Sequence, residues 1–338
     1  MPGESRLLSL EFRRFWLGES VSSFGTYVTL LALQTLVVLT LNGDAQDVGW
    51  VNSARWLPYL LFGLVVGALV DRRRRQPVMV VTDVARAVLL GAIPAAWALG
   101  VLTLPFLTVV VIGYGAASLV NDAASLSFLP PLVPQHQLQR AHARIDGADA
   151  VAQTTGPVLA GVLIKLLGAP LAILVDAATY LFSAVMVATL RVPESTPVRA
   201  GRTSKLRVEI RDGVRWIYRG SGLARLAVAT HVWFAANAIL ATVVAPFALT
   251  ELGLSPLQFG LSTALAGIGG VLGAGLSTAG GRRLGTGGTV IAAHLASVVG
   301  VCTMASAGLG TSGWWAVGLL GLGRRATGSA WCSATPTR

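Results

Sequence analysis

The sequence predicts an all-α, polytopic membrane protein, and three observations carry that prediction. Of its 338 residues 54% are hydrophobic and only 12% charged, with a mean hydropathy of +0.67, which leaves too little polar surface to coat a soluble globule. Apolar runs of about 20 residues, the length that crosses a bilayer as a helix, recur along the chain. The arginines and lysines collect at the ends of those runs, on alternate connections.

A span-length window places the runs at 15–41, 50–70, 77–99, 102–126, 147–167, 169–190, 223–249, 257–279 and 287–309, with a fragment at 313–323. The first follows Arg6, Arg13 and Arg14 with no short apolar segment and small-residue cleavage site, so it reads as a retained span with the N-terminus in the cytoplasm. The second ends in Gly67-Ala68-Leu69-Val70-Asp71 and then four consecutive arginines, Arg72 to Arg75, before the third begins. The fourth is followed by Pro130-Pro131-Leu132-Val133-Pro134. The fifth contains Gly156-Pro157, and only Gly168 separates it from the sixth.

The basic residues test this order. Segments assigned inside carry Arg6, Arg13 and Arg14, then Arg72 to Arg75, then Arg140 and Arg144, then eight bases from Arg191 to Arg219, then Arg282 and Arg283. The outside connections carry none, as the positive-inside rule requires. The net charge of +11 therefore marks topology, and no basic face with aromatic readers suggests a nucleic-acid partner.

The connection 191–220 divides the chain. It predicts a six-span bundle over 1–190, a basic cytoplasmic linker, a partial second bundle over 221–323 and a polar tail over 324–338. Within the linker Leu206, Ile210, Val214 and Ile217 recur at helical spacing beside a stripe of Arg207, Arg211, Arg215 and Arg219. That pattern fits a helix lying on anionic membrane lipids and equally a solvated linker helix. Gly273 to Gly285, ending in Gly280-Gly281-Arg282-Arg283, echoes the turn at 67–75 and predicts a second turn between spans.

Six spans, a basic central loop and the turn Gly67, Asp71, Arg72 and Arg75 resemble the major facilitator superfamily. The usual second glycine of that turn is replaced within the arginine run. Phe12-Arg13-Arg14-Phe15-Trp16-Leu17-Gly18, the proline cluster at 130–134 and Gly156-Pro157-Val158-Leu159-Ala160-Gly161 narrow the resemblance to its drug and siderophore exporters, such as macrolide-efflux and enterobactin-exporter proteins. The Gly-Pro element is similar to the antiporter motif of exporters, with Ala148 and Ala152 where other small residues are expected. The resemblance implies the major facilitator fold, a cell-membrane location, a monomer, a small-molecule substrate exchanged for protons, a part in multidrug resistance, and a cytoplasmic gate built on Asp71.

The residues have physical readings of their own. Gly156, Pro157 and Gly161 can bend span five or let another helix approach closely. Arg72 to Arg75 set topology and can also gate. Ionisable residues inside spans are costly unless paired or facing a cavity, which singles out Arg55, Asp83, Arg86, Asp122 and Asp176. Asp83 and Arg86, three apart on one helix, share a face and can form an ion pair. Asp122 and Asp176 have no evident partner in their own helices and are the proton-site candidates, each also free to pair with Arg55 or Arg86 across helices. Gln34, Asn121, Trp233 and Asn237 are polar or aromatic side chains in apolar helices and candidate cavity lining.

Two cysteines, Cys302 and Cys332, offer no disulfide framework or metal spacing, and no catalytic triad or phosphate-cradling loop is present, so neither an enzyme nor a cofactor is expected. The expected function is secondary active transport by alternating access, with proton-coupled efflux of a bulky amphipathic molecule ahead of uptake. The fold of that family has twelve spans, and the Arg-, Ala-, Ser- and Thr-rich residues after Gly323 read as a shifted frame. A truncated, non-transporting membrane remnant is the alternative.

Overall fold

In the computed structural model the described residues are 9–70, 72–191, 215–220, 224–307 and 317–318, and all regular structure among them is helical. Helix α1 (Leu10–Thr35) starts at Ser9, whose hydroxyl accepts from the Phe12 N–H at 3.2 Å, and continues through a π-helical turn, Leu36–Thr40. Asn42, at φ 52°, reverses the chain, and the Asp44 carboxylate caps α2 (Ala45–Val70) by accepting from the N–H groups of Gln46 and Asp47 at 2.8 and 3.0 Å. Helix α3 (Arg75–Ala98) is followed by α4 (Leu104–Leu132), capped by Thr103 with a proline in its first turn. Helices α5 (Leu138–Leu167) and α6 (Ala169–Ala188) meet at Gly168, whose φ of +85° favours glycine at this turn. Helix α7 (Ala224–Pro246) ends in a π-helical turn, Phe247–Glu251, and α8 (Pro256–Ser306) opens with a capping box between Ser255 and Gln258.

Six helical segments among the described residues are long and apolar enough to span a membrane: Leu10–Thr40, Arg75–Ala98, Leu104–Leu132, Gln135–Leu167, Ala169–Ala188 and His231–Glu251. Two boundaries differ from the sequence reading. Helix α4 takes in Pro130 and Pro131 and stops at Leu132, because Val133 precedes Pro134 and is driven to the extended conformation, φ −134° and ψ 146°. Helix α5 begins near Leu138, where the polar segment Leu138–Asp146 adds about two turns below the expected span.

The second repeat also differs. Where a turn is expected at Gly280-Gly281-Arg282-Arg283, α8 continues as one helix of 51 residues. At about 1.5 Å per residue it is about 77 Å long, more than two hydrocarbon thicknesses. Glycines lower helix propensity by about 1 kcal/mol each, and no proline accompanies them to break the hydrogen-bond ladder. The linker stretch 192–214, the fragment at 313–323 apart from residues 317–318, and the tail 324–338 lie outside the described residues.

Helix α1 packs between α5 and α6, α3 between α4 and α6, and α2 on α4, while α5 abuts α8 and α2 abuts α7. Two apolar clusters fill the first bundle. One holds Phe12, Phe15, Val70, Met79, Phe128 and Val187; the other holds Leu31, Leu36, Leu90, Ile93, Leu107 and Ile173. Between them along α1, α3, α4 and α6 runs a belt of polar residues, including Ser22, Thr82, Asp83, Arg86, Ser118, Asn121, Asp176 and Ser183. Leu60, Val81, Val88 and Val109 turn their side chains outward, as they must in a molecule solvated by lipid.

Candidate functional site

The polar belt is built around the pair that the spacing predicts. Arg86 Nη2 donates to Asp83 Oδ1 across one turn of α3, and both residues are buried. Asn121 of α4 points at the same carboxylate: its Nδ2 donates to Asp83 Oδ1 at 3.1 Å and to Thr82 Oγ1 at 2.8 Å. The Arg86 guanidinium also lies 4.1 Å over the Tyr180 ring of α6. These contacts tie α3, α4 and α6 together with a charge that hydrocarbon alone would exclude.

In front of this cluster lies a cavity of about 330 Å³. Its wall includes Glu19, Ser22, Thr26 and Tyr27 of α1, Arg55 of α2, Arg86 of α3, Asn121 and Asp122 of α4, and Asp146 and Asp149 of α5. Three of the carboxylates are held by neutral donors. Ser125 donates to Glu19 Oε1 at 3.2 Å, Tyr59 to Asp122 Oδ2 at 2.7 Å, and Tyr27 to Asp149 Oδ2 at 3.2 Å, with Ser23 on the other Asp149 oxygen. Arg86 is committed to Asp83, and the Arg55 guanidinium stacks 5.0 Å from the Trp56 ring. Four carboxylates against two guanidiniums give the wall an acidic balance.

The remaining candidates fall in different places. Gln34 lines a small apolar recess with Arg55, Leu33 and Val111. Asp122 and Asp176, open to pairing with Arg55 or Arg86 on sequence grounds, take hydroxyl partners instead: Tyr59 for Asp122 and, within its own helix, Thr179 for Asp176 at 2.9 Å. Trp233 and Asn237 sit on α7, where Asn237 donates back to the Trp233 carbonyl at 3.0 Å; neither is among the residues lining the cavity.

Where α2 gives way to α3, Arg72 to Arg74 are exposed in a turn whose N–H groups bond to Leu69 and Val70, and Arg75 opens α3. Asp71 lies outside the described residues. A Cβ at Gly67 would meet no atom within 4 Å, so no neighbour demands a glycine there. Next to this turn Gln76 donates to the carbonyls of Val187 and Leu190, both at 2.9 Å, and Arg14 donates to that of Thr189 at 3.3 Å. The carbonyls that α6 leaves unpaired at its end are thus capped by α1 and α3.

The Gly-Pro element is a packing surface. A Cβ at Gly161 would stand 2.7 Å from Leu257 Cα, one at Gly267 2.7 Å from Thr154 Cα, and one at Gly260 would strike the Pro157 carbonyl. Gly156 gives the same clearance to Tyr27 of α1, at 2.7 Å. Close approach of α5 to α1 and α8 therefore requires these small residues.

Residues 15–337 match the Major Facilitator Superfamily. The chain belongs to that superfamily. Among curated superfamily members it is 28% identical over 260 residues to the multidrug efflux pump Tap of Mycolicibacterium fortuitum, covering 74% of this chain and 62% of Tap. It is 24% identical over 233 residues to macrolide efflux protein A of Streptococcus pyogenes, covering 67% and 56%. The matched stretches thus span about three fifths of these relatives. The fold is similar to an inward-facing bacterial homologue of the human lysosomal transporter Spinster, with TM-score 0.73 at 15% identity over 96% of this chain and 74% of that one. A D-xylose-proton symporter gives 0.68 at 16% identity, over 95% and 79%.

Major facilitator proteins are multi-pass membrane transporters and not enzymes. Sequence reasoning missed several residues of its cavity. Glu19 and Asp149 are ionisable and lie within spans, but Glu19 sits one turn after an amphipathic start and Asp149 just inside a span whose onset is polar, so neither stood out. Tyr27, Tyr59, Tyr114 and Tyr180 read as apolar; the hydroxyls of the first two meet the carboxylates of Asp149 and Asp122, and those of the last two meet each other.

Proposed function

We propose that the protein is a proton-coupled secondary exporter of a bulky, amphipathic small molecule with a cationic group. The observation that carries this reading is the acidic cavity: about 330 Å³, lined by Glu19, Asp122, Asp146 and Asp149 together with the apolar faces of Tyr27 and Leu30. A space of that size accepts a drug-sized ligand, whose apolar part would meet Leu30, Ile145 and the Tyr27 ring while the polar remainder of the wall orients its charge. A cation displaces protons from carboxylates held by hydroxyls, and the reverse exchange on the other side of the membrane would drive export.

Alternating access needs two bundles that rock around a central site. The glycine surface shared by α5 and α8 supports such motion, because backbones in close contact slide without side chains to disengage. The charge of the exposed arginine turn between α2 and α3 supports a cytoplasmic position for it, and with it a cytoplasmic N-terminus. Asp71, in that turn, is proposed to close the inner gate, and a monomer suffices for the cycle. The names of the efflux relatives support export over uptake.

The test is drug accumulation in cells lacking their own pumps. Cells expressing the chain should hold less of a fluorescent lipophilic cation or a macrolide than controls, and a protonophore should erase the difference. Greater accumulation in expressing cells favours an uptake permease, and equal accumulation favours a non-transporting chain.

A further inference from the structure

Arg55 of α2 carries a charge that the fold leaves unpaired. It is half-buried in an apolar helix, and among the described residues no carboxylate reaches salt-bridge distance of it and its guanidinium donates no hydrogen bond. An arginine inside a span is costly unless it is paired or faces a cavity, and Arg86 of α3 has Asp83 where Arg55 has no such partner. The guanidinium lies 5.0 Å from the Trp56 ring. Stacking holds its plane and leaves its edge, with the fork of N–H donors, free to meet an acceptor. The backbone is fixed from behind: a Cβ at Gly115 of α4 would strike the Arg55 carbonyl, so α2 and α4 are in contact at this level.

Two spaces meet at Arg55. It lines the acidic cavity and also the recess of about 20 Å³ between α1, α2 and α4, and Leu30 is the other residue common to both walls. The recess has the opposite chemistry to the cavity. Among the described residues no carboxylate lines it; its one charge is Arg55, its other polar groups are the amides of Gln34 and Asn52, and the rest of its wall is leucine and valine. Asn52 lies three residues before Arg55 on the same face of α2, and Gln34 lines the recess from α1. Neither amide makes a hydrogen bond among the described residues. Three donor side chains thus converge on a space that admits one oxygen-bearing group and excludes the body of a ligand.

We propose that the recess is an anion subsite of the transport site: Arg55, Asn52 and Gln34 take the carboxylate of a substrate whose cationic group lies among the cavity acids, so that the chain selects zwitterions over plain cations. This rests on the exporter reading above. The helices set the spacing of the two charges. Tyr27, which binds Asp149, and Gln34 are seven residues apart on α1, about 10 Å at about 1.5 Å per residue; Tyr59, which binds Asp122, and Arg55 are four apart on α2, about 6 Å. A ligand whose ammonium and carboxylate stand about 6–10 Å apart therefore bridges the two subsites. A plain cation still meets the acids but leaves Arg55 without an acceptor. A carboxylate gains the paired N–H···O bonds for which a guanidinium is shaped.

The test is equilibrium binding at neutral pH to the purified full chain in lipid nanodiscs. The probes are a fluorescent arylpiperazine carboxylic acid, with an ammonium at one end and a carboxylate at the other, and its methyl ester, which is a cation alone. The wild-type chain should bind the acid about tenfold more tightly than the ester, equivalent to about 1.4 kcal/mol. Arg55→Gln, shown to be monodisperse, should lose acid binding until the two affinities agree within about twofold, because a neutral amide cannot replace the charged fork. Asn52→Ala should cut the preference about threefold, the worth of one hydrogen bond, and decides the matter if Arg55→Gln does not fold. Equal wild-type affinities for acid and ester, a full preference in folded Arg55→Gln, or, where that variant does not fold, a full preference in Asn52→Ala overturns the proposal. Equal affinities together with gradient-driven efflux of a lipophilic cation remove the subsite and leave the exporter reading intact. A preference that depends on Arg55, in a chain whose efflux ignores the gradient, removes the proton coupling and supports the subsite.

Discussion

Replacing Arg86 with methionine removes the cation that compensates Asp83 while leaving most of the side-chain volume in place. Asp83 is 1% exposed and keeps neutral donors alone, Asn121 at 3.1 Å among them. Removing one partner of a buried pair costs about 3–5 kcal/mol, because the other charge is left uncompensated. The stacked Tyr180 contact, lost at the same time, adds up to about 2 kcal/mol for a desolvated cation over a ring. Replacing Asp83 with asparagine as well removes the stranded charge, so the double variant should be more stable than Arg86→Met alone, with a coupling energy of about 1–3 kcal/mol in the cycle. The assay is the midpoint of heat-induced loss of monodisperse protein in detergent for wild type, both single variants and the double. If the double variant loses as much as the two single variants added together, Asp83 and Arg86 do not stabilise each other and the account of the polar belt is wrong.

Substituting leucine at Gly161 places a side chain where a Cβ would already be 2.7 Å from Leu257 Cα; overpacking of about 1–3 kcal/mol should separate α5 from α8, seen as reduced cross-linking between cysteines placed on the two helices. Glu19→Gln and Asp149→Asn should each weaken export of a cationic macrolide more than that of an uncharged analogue, measured by cellular accumulation, because they neutralise the cavity wall without touching its apolar face. In a chain with Cys302 and Cys332 replaced by serine, a cysteine at Leu99 should react with a membrane-impermeant maleimide in intact cells and one at Arg73 only after lysis; the reverse labelling would invert the topology.

The apolar helices α1 and α3 to α6 were legible because hydrocarbon imposes one rule on every span: about 20 apolar residues, with charges at the ends. The pairing of Asp83 with Arg86 was legible for a related reason, since helical spacing brings i and i+3 together whatever surrounds them. What spacing cannot reveal is contact between helices. Tyr59 meets Asp122 and Tyr180 meets Thr26 across distances of 63 and 154 residues, and nothing local to either tyrosine marks it. The glycines of α5 were read correctly as small, yet the partner they admit, α8, emerges only from packing. The expected turn at 280–283 failed because glycine weakens a helix without ending it, while the turn at 72–74 is fixed by four charges that cannot enter the apolar layer.

The most direct test of proton-coupled export is transport in sealed vesicles containing only the purified chain and an imposed pH gradient. With the interior more acidic than the bath and the cytoplasmic face outward, a lipophilic cation should accumulate inside against its own gradient, and dissipating the pH difference should release it. Accumulation that is the same with and without the gradient, in vesicles shown to be sealed, would contradict the account.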